Sequence, residues 1–216
     1  LDFADFAFVP DDSYEVIYSD PPWLYYGDPN KDGAAGKEYK MMSLEEIAAL
    51  PVRAKMRKKS IVFLWATCPM LDVAIDVVRA WGLHFRGVPF VWVKTKQDGS
   101  PIGAQGVRPS IVKPLVEIVI AASTVPRGRP IKILDESIRQ TVFEGEDEDF
   151  ITDPIFASRG HHSEKPHEVR ARIERLFGPV PRLEMFARGA PKGEWDRFGD
   201  ELTGPESTVL DLMESA

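Results

Sequence analysis

The chain predicts an α/β fold: a Rossmann-like, doubly wound, mostly parallel sheet with helices on both faces, in a single domain. Three observations carry that expectation. Apolar runs of strand length alternate with amphipathic stretches of helical period along the sequence. Several of those runs, such as Ile61-Val62-Phe63-Leu64-Trp65-Ala66, are apolar at consecutive positions, as in strands covered on both faces. Polar residues also stand just after the strands, at Asp20, Lys94 and Arg188, where open α/β sheets bind ligands.

With 216 residues, 44% of them hydrophobic, the chain can bury a substantial core. The domain is assigned to residues 1–202, with 124–158 as an insertion and 203–216 as a C-terminal tail. A formal charge of −7 argues against a bulk electrostatic clamp on a nucleic-acid backbone. Any nucleic-acid site must then be local or completed by a partner. Cys68 is the single cysteine, which excludes an internal disulfide and fits a reducing compartment. No apolar run reaches the length of a membrane span, and the acidic N-terminus is unlike a signal peptide, so a cytoplasmic location is expected. The chain begins on Leu1, so a few residues are expected to precede it.

In order, Phe3, Phe6 and Phe8 form an apolar lead-in to a turn at Pro10-Asp11-Asp12. Residues 14–18 read as a strand, ended by Pro21 and Pro22, which donate no ladder hydrogen bond. Residues 24–42, rich in Gly, Asp, Asn and Lys, read as a long loop of the kind that carries function. Ser43 with Glu46 makes a capping box for a helix that Pro51 stops. The run Arg53, Lys55, Arg57, Lys58, Lys59 reads as a solvated helix face, with nucleic-acid contact as the alternative. Strands follow at 61–66, 88–93 and 115–122, with a helix between the first two, opened by Thr67 or Cys68 and ended by Gly82. Lys96 opens a Gly-rich loop to 109. Ser163 is expected to cap a helix carrying Val169, Ile173, Leu176 and Phe177 on one face. The last strand is 182–187. His161, His162 and His167 read as a loop and a helix face rather than a metal site.

The chemistry concentrates at Asp20-Pro21-Pro22-Trp23, a stiff corner at a strand end with a carboxylate, carbonyls free of any helix and a flat aromatic ring. Adenine's amine is a poor nucleophile because its lone pair is delocalised into the ring. A carboxylate from Asp20 and the Pro21 carbonyl would accept its two N–H bonds and favour a pyramidal nitrogen. Trp23 would stack on the base, worth ~1–3 kcal/mol. Positioning and electrostatics would then do most of the catalysis, with no metal.

These four residues, with Tyr39 to Ile47, Trp92-Val93-Lys94-Thr95, His162-Ser163-Glu164-Lys165-Pro166, Leu183 to Arg188, Trp195 and Gly199-Asp200-Glu201-Leu202, resemble the MT-A70 family of N6-adenine methyltransferases. The resemblance covers nearly the whole chain except 124–158. It implies S-adenosylmethionine as cofactor and nucleic acid as substrate, DNA favoured over RNA, with the adenine flipped or single-stranded. By resemblance, Asp20, Pro21, Pro22 and Trp23 are catalytic. Lys165 holds the cofactor's carboxylate and Arg188 its ribose, and Asp2, Phe3, Asp20, Glu184, Asp200 and Glu201 also belong to the cofactor site. Tyr39, Lys94, Glu117 and Ser163 fall near the substrate base. The family commonly has Asn at the position of Asp200, and Gly189-Ala190-Pro191 offers the ribose no polar side chains. Both departures bear on cofactor affinity. A homodimer, or a heterodimer with a related subunit, is expected to assemble the basic surface that the acidic chain lacks. The alternatives are a non-catalytic nucleic-acid-binding or scaffolding subunit, opposed by the intact four-residue motif, an RNA adenine methyltransferase, and cytosine amino methylation, opposed by Asp rather than Ser before the two prolines.

Overall fold

The computed structural model describes residues 3–24, 41–102, 114–132, 151–158, 160, 164–189, 193–199 and 201–202. Asp2, Tyr39, Ser163, Asp200, the side chains of Phe3 and Glu201, and residues 203–216 lie outside the described residues.

The described strands are β1 (Tyr14–Ser19), β2 (Met56–Thr67), β3 (His84–Thr95), β4 (Val116–Ser123), β5 (Pro154–Ser158), β6 (Arg182–Met185), β7 (Arg188–Gly189), β8 (Asp196–Phe198) and β9 (Glu201–Leu202). Seven form one sheet in the order β5-β3-β4-β2-β1-β6-β8, and β7 pairs with β9 separately. β1 runs parallel to both neighbours, as do β3 with β5 and β6 with β8, while β4 is antiparallel to β2 and β3. The sheet is therefore mostly parallel, and β1 lies inside it, between β2 and β6.

Four helices cover the two faces: α1 (Leu44–Ala49), α2 (Val52–Lys55), α3 (Leu71–Ala80) and α4 (His167–Phe177). Ile47, Val52, Ala74 and Val77 of the first three pack with Ile17, Val62 and Leu64 on one face. Val169, Ile173 and Phe177 of α4 pack with Val16, Tyr18 and Phe63 on the other. Fully burying an aliphatic side chain such as Ile17 or Ile173, both at 0% exposure, contributes ~1.5–3 kcal/mol. The crossover from β1 to β2 thus runs over one face, and the one that enters β6, the other neighbour of β1, from β5 runs over the opposite face through α4, which makes the carboxyl end of β1 the place where a crevice opens.

Local chemistry explains several boundaries. The Ser43–Glu46 capping box is complete: Ser43 Oγ accepts from the Glu46 N–H at 3.2 Å, and Glu46 accepts from the Ser43 N–H at 2.7 Å. β2 starts five residues earlier than the sequence suggests. Tyr14 pairs with Met56 and Val16 with Ile61, so Arg57 to Ser60 bulge out of the ladder, held by Ser60 Oγ within reach of the Tyr14 and Arg57 carbonyls. The basic run is thus a short helix and a strand bulge rather than one helix face. β5 comes from inside the stretch read as an insertion and pairs with β3 over Val91–Thr95. β6, expected to run to 187 as the last strand, stops at Met185 because Phe186 turns left-handed, at φ 59, and β7, β8 and β9 follow it.

The helix cap expected at Ser163 is corrected. Pro166 occupies the N-cap of α4, without a side-chain cap bond. Lys165 therefore precedes the helix instead of sitting in its first turn. A residue before proline is pushed out of the α region, which lets Lys165 project past the helix start.

Candidate active site

β1 delivers Asp20 to the carboxyl edge, and the two prolines after it fix the corner. The Trp23 N–H bonds back to the Pro21 carbonyl at 2.9 Å, and the Met42 N–H to the Pro22 carbonyl at 3.0 Å. Leu24 N–H completes a small bridge to the Met42 carbonyl at 3.1 Å. The corner is thereby joined to the lead-in of α1. The carbonyls expected to be free each hold one bond, so Pro21 keeps a second lone pair for a ligand. Trp23 is also different from its sequence reading. It is 5% exposed, packs in the core and donates its indole N–H to the Trp65 carbonyl at 3.1 Å, so only a small part of it reaches the cavity.

Beyond the corner lies a cavity of about 650 Å³, within the ~300–1,000 Å³ usual for small-molecule sites. Its walls include Asp20, Trp65, Trp92, Lys94, Glu117 and Lys165, with Arg188 at one side. Four of these side chains form a ladder of alternating charge. Lys165 Nζ is 2.9 Å from the Asp20 carboxylate and 3.4 Å from Glu117, and Glu117 also pairs with Lys94. The elements responsible are the end of β1, the start of β4, the end of β3 and the approach to α4. Lys165 lies 5.5 Å from the centre of the Trp65 ring and Lys94 5.2 Å from that of Trp92, so each ammonium also has an aromatic face. The Trp65 indole donates to the Tyr18 hydroxyl at 2.6 Å, and Trp92 to the Ala157 carbonyl at 2.9 Å, which fixes both rings.

Burial pushes the Asp20 carboxyl above the ordinary aspartate range, with Lys165 pulling it back and Glu117 adding to the rise. Glu117 goes the other way: burial would raise it, but Lys165 and Lys94 together hold it below the usual glutamate value. Burial works against the Lys165 ammonium, yet Asp20 and Glu117 overcome it and keep the lysine firmly charged. The ladder therefore contains one carboxylate held ionised, Glu117, and one with raised proton affinity, Asp20.

Of the sequence-designated residues, Asp20, Pro21, Trp23, Lys94, Glu117, Lys165 and Arg188 line the cavity. Glu184 does not; its carboxylate pairs with Arg170 of α4 at 2.7 Å. Pro22 is buried behind the corner. Trp65 and Trp92 were missed as site residues. Their signal was position: each is a tryptophan close to the end of its strand, on the edge where ligands bind.

A Rossmann-like sheet with a charged, aromatic-walled cavity at the carboxyl end of β1 defines an enzyme that handles a small cofactor beside a planar substrate. The sequence pattern of the MT-A70 family matches residues 14–201, and the chain belongs to that family. Membership carries S-adenosylmethionine-dependent methylation of the adenine N6 amine. The chain is 27% identical to the Mycoplasma sp. Type II methyltransferase M.MunI, over 91% of this chain and 81% of that protein. It is 26% identical to a Drosophila melanogaster N(6)-adenosine-methyltransferase MT-A70-like protein and 28% identical to a probable N(6)-adenosine-methyltransferase MT-A70-like protein of Oryza sativa subsp. japonica. Each of those matches spans 88% of this chain but only 27% and 23% of the relative.

The residues present fit the cofactor. Lys165 has three N–H donors, and among the described residues Asp20 and Glu117 take two, which leaves one for a carboxylate. Arg188 brings a guanidinium to the cavity wall, and the acidic members of the ladder suit a ligand that carries positive charge.

Proposed function

We propose that this chain methylates adenine in DNA, with Asp20 and the Pro21 carbonyl gripping the N6 amine and Lys165 and Arg188 holding the cofactor. The observation that carries the assignment of roles is the ladder itself: a buried carboxylate of raised proton affinity stands 2.9 Å from a lysine that has a donor to spare. DNA is favoured because the Type II methyltransferase matches along most of its length, whereas the adenosine methyltransferases are matched over about a quarter of theirs.

When bound, S-adenosylmethionine supplies an electrophilic methyl group. Asp20 accepts one N–H of the amine and the Pro21 carbonyl the other, which biases the nitrogen toward sp³ and directs its lone pair at the methyl carbon. The donor, held by Lys165 and Arg188, would supply that methyl group, and the proton the nitrogen sheds on methylation would pass to Asp20, whose burial favours its taking one. Glu117 and Lys94 keep Lys165 in place between the two ligands. A duplex must release the base first, since the amine is paired inside it. With the whole chain at −7, a second copy or a related subunit is needed to complete a nucleic-acid surface, and a reducing, cytoplasmic setting suits the lone Cys68.

The test is methylation of random-sequence DNA and RNA libraries with labelled donor, followed by mapping of the modified atom. The reading predicts label on adenine N6, more in DNA than in RNA. Label on cytosine, or a clear preference for RNA, overturns the part of the reading concerned.

A further inference from the structure

Arg197 of β8 is 2% exposed, one of the largest fully buried side chains among the described residues, and it is a cation. Its register partner on β6 is Glu184, but that carboxylate is engaged by Arg170 at 2.7 Å. What Arg197 holds directly is backbone. Its Nη2 donates to the Arg188 carbonyl at 3.1 Å and to the Gly189 carbonyl at 2.6 Å, while Nε and Nη1 have no hydrogen-bond partner among the described residues. Burying a guanidinium with donors unmatched is unfavourable, and an apolar side chain would serve packing better.

The segment it grips is not ordinary strand. Phe186 and Gly189 are both left-handed, at φ 59 and 66. The Ala187 N–H bonds to the Phe198 carbonyl at 2.9 Å, and a Cβ on Gly199 would lie 2.0 Å from the Ala187 carbonyl oxygen, so β8 presses directly against the turn. Within that turn sits Arg188, whose side chain lines the cavity. The unfavourable burial of Arg197 therefore coincides with the one segment that must aim a cavity arginine.

We infer that Arg197 is a positioning residue: by bonding the Arg188 and Gly189 carbonyls it orients Arg188 into the cavity for the cofactor's ribose. The inference rests on the reading of Arg188 as a cofactor residue. Arg197 touches neither substrate nor cofactor, so its loss acts on cofactor binding through Arg188 and leaves the Asp20 chemistry alone.

The test is a double-mutant cycle on the full chain, with S-adenosylmethionine affinity read by titration calorimetry and kcat and KM by methyl transfer. Arg197→Met is expected to weaken affinity about tenfold, the scale of lost hydrogen bonds to a charged group, and to raise the cofactor KM with kcat little changed. Arg197→Lys keeps a donor for the carbonyls and recovers most of the affinity. Arg188→Met also weakens binding, and the Arg188→Met/Arg197→Met pair binds no worse than Arg188→Met alone. Should Arg197→Met fail to fold, Arg197→Gln takes its place in the cycle. Unchanged affinity in the Arg197 variant, additive losses in the pair, or kcat and melting temperature falling together with affinity overturns the inference. If Arg188→Met itself binds normally, the cofactor role of Arg188 falls, and the positioning role with it.

Discussion

The two edges of the sheet use charge in opposite ways. At the carboxyl edge Asp20, Glu117, Lys94 and Lys165 are each 23% exposed or less and neutralise one another in a closed ladder. At the amino edge, Lys58, Lys59, Arg86 and Arg127 stand exposed on β2, β3 and the turn after β4. Ile61 to Leu64 separate Ser60 from the cavity wall at Trp65, and at ~3.3 Å per residue the basic bulge, which sits beside Tyr14 to Val16, lies roughly 15–20 Å from Asp20. Exposed cations at that distance are screened by salt and do not tune the site, whereas a buried ladder is screened far less. The difference teaches that proximity and burial, rather than the number of charges, mark the functional edge. The chain's acidity is also uneven. Described side chains include 19 Lys and Arg against 18 Asp and Glu, so the net −7 arises outside them.

Changes at the carboxyl edge should be large and those at the amino edge small. Among the ladder's partners of Asp20, Lys165→Met should have the greatest effect. It leaves Asp20 and Glu117 facing each other with no cation between them and removes a cofactor donor, so kcat/KM should fall by roughly a hundredfold or more, as for other lost electrostatic contacts. Steady-state kinetics with varied S-adenosylmethionine checks this, and a loss below threefold would separate Lys165 from the site.

The pH dependence comes next. Asp20 must be ionised to accept the amine, and its folded pKa lies above the ordinary aspartate value, so kcat/KM should fall on acidification at a pH higher than an exposed aspartate would give. Glu117→Gln removes a negative neighbour and should move that acid limb to lower pH. Lys94→Met leaves Glu117 less compensated and should move it to higher pH. Parallel shifts in the two variants would break the ladder account.

At the far edge, Lys58→Glu with Lys59→Glu should leave kcat within about twofold, because exposed substitutions away from a site change little. A tenfold loss at saturating substrate would show that the two edges are coupled. The smallest effect expected is on stability alone: Ser43→Ala should cost ~1 kcal/mol in urea unfolding through loss of the cap, with kcat unchanged.

Much of this was legible in the residues. Continuous apolar strands gave the buried sheet, the Ser43–Glu46 spacing gave a cap that formed in full, and the two prolines gave the corner. What was not legible depended on contacts between distant parts of the chain. Lys165 leaves the helix because Pro166 follows it, but only the fold shows that it then meets Asp20, 145 positions away. Trp23 resembled a stacking plate because sequence cannot say which of five tryptophans the core will take. The strand bulge at Arg57 to Ser60 was hidden because its register is set by β1, and β5 because its pairing partner, β3, lies 63 residues earlier in the chain. Arg197 gave no signal at all, since its partners are backbone carbonyls.

The central claim is that Asp20 stands between base and methyl donor and acts on the base. Its most direct test is single-turnover methyl transfer by Asp20→Asn with labelled S-adenosylmethionine already bound, alongside calorimetric affinity for the donor. The account predicts donor affinity within a few-fold of the unaltered protein and transfer to adenine N6 reduced by at least roughly a thousandfold. Transfer at a comparable rate by Asp20→Asn, or a loss explained wholly by failure to bind the donor, would contradict it.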